Sequence, residues 1–232
     1  MARVPARAEA VGSLLRPADL RVAVGEVGDG PERAADIIEL ENRLIDEAIR
    51  RQIDSGLDVV TDGEYRRSMF QDSFWGAVEG FSTDRNPVEF RADDGSTITW
   101  HVQRIEDRLR PVANPATDEV AHLAAVTDHP FKVTFPAASL FALPFTFKPG
   151  VNDDAYASLD ELVAHCVEIE RSLVEDAVAA GARYVQFDFP AYPYLCDPDW
   201  REAIEATGWS VDQVLDLAIQ TDQQVASGLD DE

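Results

Sequence analysis

Apolar residues recur along the chain at two spacings. Between Glu32 and Ser55, Ile37, Ile38, Leu44, Ile45, Ala48, Ile49 and Ile53 repeat at helical spacing, with Pro31 suited to the first turn and Gly56 to the stop. The helix feeds a short buried-type strand, Leu57 to Thr61. The same grammar returns at Ser158, where Ser158 and Glu161 form a capping-box pattern. Leu162, Cys166, Ile169, Leu173 and Ala177 then carry a helical stripe to Gly181, and a strand from Tyr184 to Phe187 follows. Two more helices are predicted, from Pro198 to Thr207 behind Asp197 and from Val211 to about Ala226 behind Ser210 and Gln213.

The middle of the chain is less regular. Phe131 to Phe135 reads as a buried strand, and Val88 to Val102 alternates around Asp93-Asp94-Gly95 as a hairpin, taken as an insertion over about 88–104. Segments near Ala8 to Val11 and Leu109 to Ala113 complete a set of about five strands, with helices between most of them. That order predicts an α/β fold with a parallel sheet.

Composition narrows the picture. With 232 residues, 45% of them hydrophobic, one domain spanning 1–232 is expected. No apolar run reaches the roughly 18 to 20 residues of a membrane span, and no apolar segment of a secretory signal is apparent, so a cytoplasmic location is expected. Acidic residues outnumber basic ones 44 to 20, a net charge of -24, which opposes binding to nucleic acid or anionic membrane. Cys166 and Cys196 are too few for a disulfide framework.

Candidate chemistry gathers where strands end. GLDVVTDGEYRR runs a strand into Asp62, Glu64 and Arg67, and YVQFDFPAY ends another on Asp188. Loops just past parallel strands are where α/β enzymes hold substrates, so two such ends suggest one shared site.

Together with VGSLLRP at Val11 to Pro17, KVTFPAAS at Lys132 to Ser139 and YLCDP at Tyr194 to Pro198, these segments resemble the catalytic barrel of cobalamin-independent methionine synthase, most of all its short single-barrel relatives. The resemblance runs through almost the whole chain. It implies a TIM-type (β/α)8 barrel, here incomplete at about five of eight units, and a methyltransferase that moves a methyl group from a folate donor to the thiol of homocysteine. Zinc in that family lowers the thiol pKa so that a thiolate attacks. By resemblance, the backbone at Gly12 and Ser13 holds the amino acid's carboxylate, Glu64 pairs with its ammonium group and Asp188 faces the same ligand. Arg16 and Arg67 stand beside them, and Trp75 stacks a pterin or lines the pocket.

Each residue also has a structural use. Gly12-Ser13 fits a plain strand-to-loop turn, Glu64 a pair with Arg66 or Arg67, Asp188 a cap, and Trp75 a core.

Two departures separate the chain from the family. Phe189 stands where much of the family has a second acid after the strand aspartate. The family's zinc ligands, a His-x-Cys pair and later acidic and cysteine ligands, have no counterpart here. His101, His122, His129 and His165 include none two residues from a cysteine. His165 and Cys166 are adjacent, and neighbours on a helix diverge by about 100°. No metal site is expected within this chain, and activity of the chain alone is in doubt. An incomplete barrel exposes apolar area, so completion by a second chain or by self-association is expected. Two other readings stay open: a noncatalytic binding or partner subunit of a split enzyme, and a related zinc-dependent thiol alkyltransferase with another substrate.

Overall fold

The computed structural model describes residues 8–27, 35–82, 86–91, 95–143, 146–147, 152 and 154–229, with the backbone alone described at 26–27, 86–91 and 98–102. In chain order the elements are α1 (Ala18–Val27), α2 (Ala35–Asp54), α3 (Asp72–Trp75), β1 (Val78–Phe81), β2 (Asn86–Arg91), β3 (Thr97–Val102) and β4 (Ile105–Pro111). Then come α4 (Pro115–Val126), β5 (Val133–Pro136), α5 (Leu159–Ala180), β6 (Val185–Asp188), α6 (Pro198–Glu205) and α7 (Val211–Ala226). Pro31, Asp93, Asp94 and the acidic tail at Asp230 to Glu232 lie outside the described residues.

The apolar stripe of α2 does what its spacing predicts: Ile37, Leu44, Ile45, Ala48 and Ile49 are buried. Gly56, at φ +80°, turns the chain out of the helix. Gln52 then ties the helix to the strand after it, its amide donating to Thr61 O at 2.8 Å and accepting from Thr61 N at 3.0 Å. The caps at the other helices are of three kinds. Ser210 and Gln213 form a full capping box on α7, and Asp197 accepts from the Asp199 and Trp200 amides on α6. On α5, Ser158 Oγ accepts from Glu161 N, while the Glu161 carboxylate turns to Ala157 N at 2.8 Å and to Arg108 at 2.7 Å, so the box is half made.

Four segments lie parallel and in chain order. Glu9 bridges Val59, Val60 bridges Phe131, and β5 pairs with β6 from Val133–Val185 to Pro136–Asp188. Gln186 Nε2 reaches back to Val11 O at 2.8 Å, linking the last segment to the first, so the array is strongly curved. β5 is wholly buried and β6 half-buried, which leaves β6 as an open edge. Among the described residues no further strand closes the array.

One strand expectation needs correction. Leu109 to Ala113 is not a parallel strand of this array; its first residues belong to β4, which runs antiparallel to β1 in a separate pair. The physical reason is visible in the burial: Ile105 and Leu109 are buried while Glu106, Asp107 and Arg108 between them are exposed. Such a one-sided strand suits an antiparallel pair with one wet face, whereas parallel strands are buried on both faces. The predicted hairpin is present as β2 and β3, antiparallel from Asn86–Val102 to Arg91–Thr97.

The main core packs α4 and α5 on β5 around Phe74, Phe135, Leu162 and Leu173. A second cluster beneath α1 and α2 centres on Leu20, Ile45, Val60 and Tyr65. No described helix is long and apolar enough to cross a membrane.

Candidate functional site

The loop carrying Gly12 and Ser13 lies directly on the turn that follows Thr61. Thr61 Oγ1 donates to Gly12 O at 2.8 Å, and Leu14 N donates to Gly63 O at 3.0 Å. Gly12 is needed for that approach, because a Cβ there would stand 2.5 Å from Glu64 Oε1 and 3.2 Å from Thr134 Cγ2. Ser13 Oγ donates to Glu64 Oε2, and Thr134 Oγ1 to Glu64 Oε1 at 2.6 Å. The backbone N–H groups of Gly12 and Ser13 donate to no partner among the described residues.

Glu64 itself sits at φ +56°, in the left-handed region that residues other than glycine seldom enter. Its surroundings hold it there. Glu64 N donates to Asp62 Oδ1 at 2.8 Å, and Arg16 Nη2 donates to Glu64 O at 2.9 Å and to Arg67 O. Strain of this kind costs about 1–3 kcal/mol and persists where contacts over-determine the backbone.

Arg67 lies beneath the carboxylate and is itself buried. Its guanidinium makes a two-pronged pair with Glu119, with Nε 2.8 Å from Oε1, and also donates to Thr134 O at 2.9 Å and Thr134 Oγ1 at 3.0 Å. Glu64 Oε1 is 3.8 Å from Arg67 Nη1. Burial alone would lower the guanidinium's pKa, and Glu119, Asp62 and Glu64 together outweigh it and raise it. Asp62 is pushed up to about 7, by burial first and then by Glu119. Its Oδ2 is 3.6 Å from Arg66 Nη1, too far for a hydrogen bond, and neither atom has a hydrogen-bond partner among the described residues.

Asp188 closes β6 beside this cluster, half-buried. Burial raises its pKa; the hydrogen bond from Gln186 Nε2, 2.6 Å from Oδ1, opposes the rise, Glu64 adds to it, and Arg67 and Lys132 oppose it. β6 lies beside β5, so Asp188, opposite Pro136, stands two residues along from Thr134, whose hydroxyl holds Glu64. Phe189 packs edge-on against Tyr192, ring centroids 4.4 Å apart. On the other side of Arg16 and Arg67, a cavity of about 270 Å³ is lined also by Leu20, Arg21, Tyr65 and Ser68.

The structure thus brings Gly12, Ser13, Arg16, Glu64 and Arg67 into one hydrogen-bonded cluster, with Asp188 at the end of the strand beside β5. Trp75 stands apart. It packs in an aromatic group, 6.2 Å from Phe81 and 6.3 Å from Phe141, with its indole Nε1 buried and unpartnered among the described residues. The structural use of Trp75 is therefore the one the geometry displays. Thr134, Glu119, Lys132 and Gln186 are additions that the sequence reading does not single out. KVTF does carry a signal, since Lys132 and Thr134 are polar at alternate positions of an otherwise apolar strand, and alternate residues share a face.

The described residues do not fit zinc. Among the described residues no group of three or more His, Cys, Asp and Glu side chains could hold a metal ion. Cys166 is buried on α5 with its thiol pushed up by burial, His165 Nδ1 meets Tyr156 OH at 2.8 Å, and Cys196 stands alone at the surface.

The mixed α/β fold resembles methionine-synthase-like structures. The chain superposes on a B12-independent methionine synthase from Shewanella sp. W3-18-1 in complex with selenomethionine, TM-score 0.64 at 19% identity, over 96% of this chain and 58% of that one. A Listeria monocytogenes structure assigned as a vitamin-B12-independent methionine synthase superposes with TM-score 0.67 at 20% identity, over 94% and 60%. In sequence the chain is 25% identical to the uncharacterized protein YxjH of Bacillus subtilis (strain 168), over 89% of this chain and 54% of that protein. It is 26% identical to a methionine synthase of Saccharolobus solfataricus, over 78% and 52%. The chain therefore spans about half the length of the curated relatives it matches. No family model matches it. The likeness to the two solved structures is one of fold.

Proposed function

We propose that this chain supplies the amino-acid-binding part of a methyltransferase of the cobalamin-independent methionine synthase type, acting on a thiol amino acid such as homocysteine with a methylated folate as donor. The observation that carries the reading is the contact of the Gly12–Ser13 loop with Glu64, opposite Asp188. An α-amino acid needs an anion-binding and a cation-binding group fixed at one end. The N–H groups of Gly12 and Ser13, which donate to no partner among the described residues, suit its carboxylate. Glu64 and Asp188 suit its ammonium, since each carboxylate oxygen accepts two hydrogen bonds.

The described side chains offer no zinc site, so the methyl-transfer step is not assigned to residues of this chain. In the same reading the curved parallel array is the front of a TIM-type barrel, and the half-exposed edge of β6 is where further strands would add. A second reading, a related thiol alkyltransferase with a different substrate, is favoured by the Phe189–Tyr192 pair, which makes the wall beside Asp188 apolar.

Calorimetric titration of the chain with L-methionine and L-homocysteine tests the proposal. Saturable binding that Glu64→Gln abolishes, with the fold intact by circular dichroism, is expected. Absence of heat with both amino acids would sink it.

A further inference from the structure

Lys132 stands just before β5 with only 2% of its surface exposed. Its Nζ donates to Glu9 Oε2 at 2.8 Å on the first parallel segment and to Gln186 Oε1 at 2.6 Å on β6, and lies 5.6 Å from the centre of the Tyr184 ring. Tyr184 OH donates to the other oxygen of Glu9 at 3.1 Å. An ammonium group has donors only, so Gln186 must turn its carbonyl oxygen to Lys132. Its amide nitrogen then faces the opposite way, donating to Asp188 Oδ1 at 2.6 Å and to Val11 O at 2.8 Å. The flipped amide would set NH2 against ammonium and a carbonyl oxygen against both a carboxylate and a carbonyl. Lys132 therefore dictates the orientation of Gln186, and Gln186 fixes one oxygen of Asp188. Asp188 Oδ2 accepts no hydrogen bond among the described residues.

We propose that Lys132 and Gln186 are positioning residues that aim Asp188 Oδ2 at the ammonium group of the bound amino acid. The inference rests on the amino-acid reading above for its ligand, and on geometry alone for its relay. The charged groups facing Asp188 are Glu64 from the turn after Thr61, Arg67 beneath it and Lys132 beside β5. Glu9 balances Lys132 from the first segment. The Gln186 hydrogen bond, Arg67 and Lys132 favour the ionised aspartate, and Glu64 opposes it.

The test uses the full chain without ligand. The carboxyl carbon of Asp188, assigned with Asp188→Asn, is titrated by NMR in the wild type, Lys132→Met and Gln186→Leu. Its midpoint is expected to rise by about one pH unit in both variants, the usual scale for losing a charge or hydrogen-bond partner. The acidic limb of L-methionine binding should move up with it. Lys132→Arg, which keeps the charge, should restore most of the shift. Midpoints that coincide with the wild type in folded variants overturn the proposal. Should Lys132→Met fail to fold, Gln186→Leu on the half-exposed edge decides alone. A shifted midpoint in a protein that binds no L-methionine leaves the relay standing and removes the amino-acid reading; binding with an unmoved midpoint does the reverse.

Discussion

The two carboxylate-tipped strand ends are built in different ways. After Thr61, Glu64 is buried, its backbone strained and its carboxylate held from two sides by Ser13 and Thr134, with Arg67 anchored beneath by Glu119. After β6, Asp188 is half-buried, takes one side-chain hydrogen bond and is followed by exposed Pro190 and Tyr192. The first end is preorganised at a cost to stability, and the second has an oxygen that accepts no hydrogen bond among the described residues, at an open edge. A ligand meeting both would find one fixed wall and one adjustable wall.

The largest effect should come from the fixed wall. Arg67→Met leaves Glu119 buried without its partner and should destabilise by about 3–5 kcal/mol in urea unfolding; a loss below about 1 kcal/mol, the scale of an exposed ion pair, would place both ends in one class.

Asp62→Asn should act in the opposite direction. The Asp62 carboxyl titrates near 7 when folded against 3.8 for the free group, so the folded state holds the proton longer. Its contribution is fully present below about 4 and is lost as pH rises towards about 7. The asparagine variant keeps an acceptor for the Glu64 amide and should be more stable than the wild type by up to about 4 kcal/mol above neutral pH and by little in acid. Equal gains at both pH values would refute the burial of a charge there.

Gly12→Ala should cost about 1–3 kcal/mol by overpacking against Glu64, and should weaken L-methionine binding more than the fall in melting temperature alone would suggest. Asp188→Asn, on the adjustable wall, should change unfolding free energy by less than about 1 kcal/mol while removing most of the binding. A large loss of stability there would erase the contrast between the two ends.

Much of this is legible in the residues. α2, α5, α6 and α7 follow from apolar spacing and from caps at Ser158, Asp197 and Ser210, because those signals are local. α1 escapes such reading because its apolar residues are not all turned inward; Val22 is 59% exposed. α4 escapes it in a stretch whose strand and helix signals run together. The Arg67–Glu119 pair and the Lys132–Gln186 contact join residues 52 and 54 positions apart, and no local pattern reports such meetings. Gly12, Ser13 and Glu64 are neighbours by family resemblance; the reason for the glycine appears only once Glu64 Oε1 is seen where its Cβ would be.

The left-handed backbone at Glu64 has a consequence for selection. A glycine there would relax the turn and delete the carboxylate in one substitution. The relaxed backbone is thus set against the hydrogen bonds from Ser13 and Thr134 and, on the proposed amino-acid reading, against the ligand. A library screened only for thermal tolerance should accept Glu64→Gly where a second change satisfies Ser13 and Thr134, and one screened for amino-acid capture should keep Glu64.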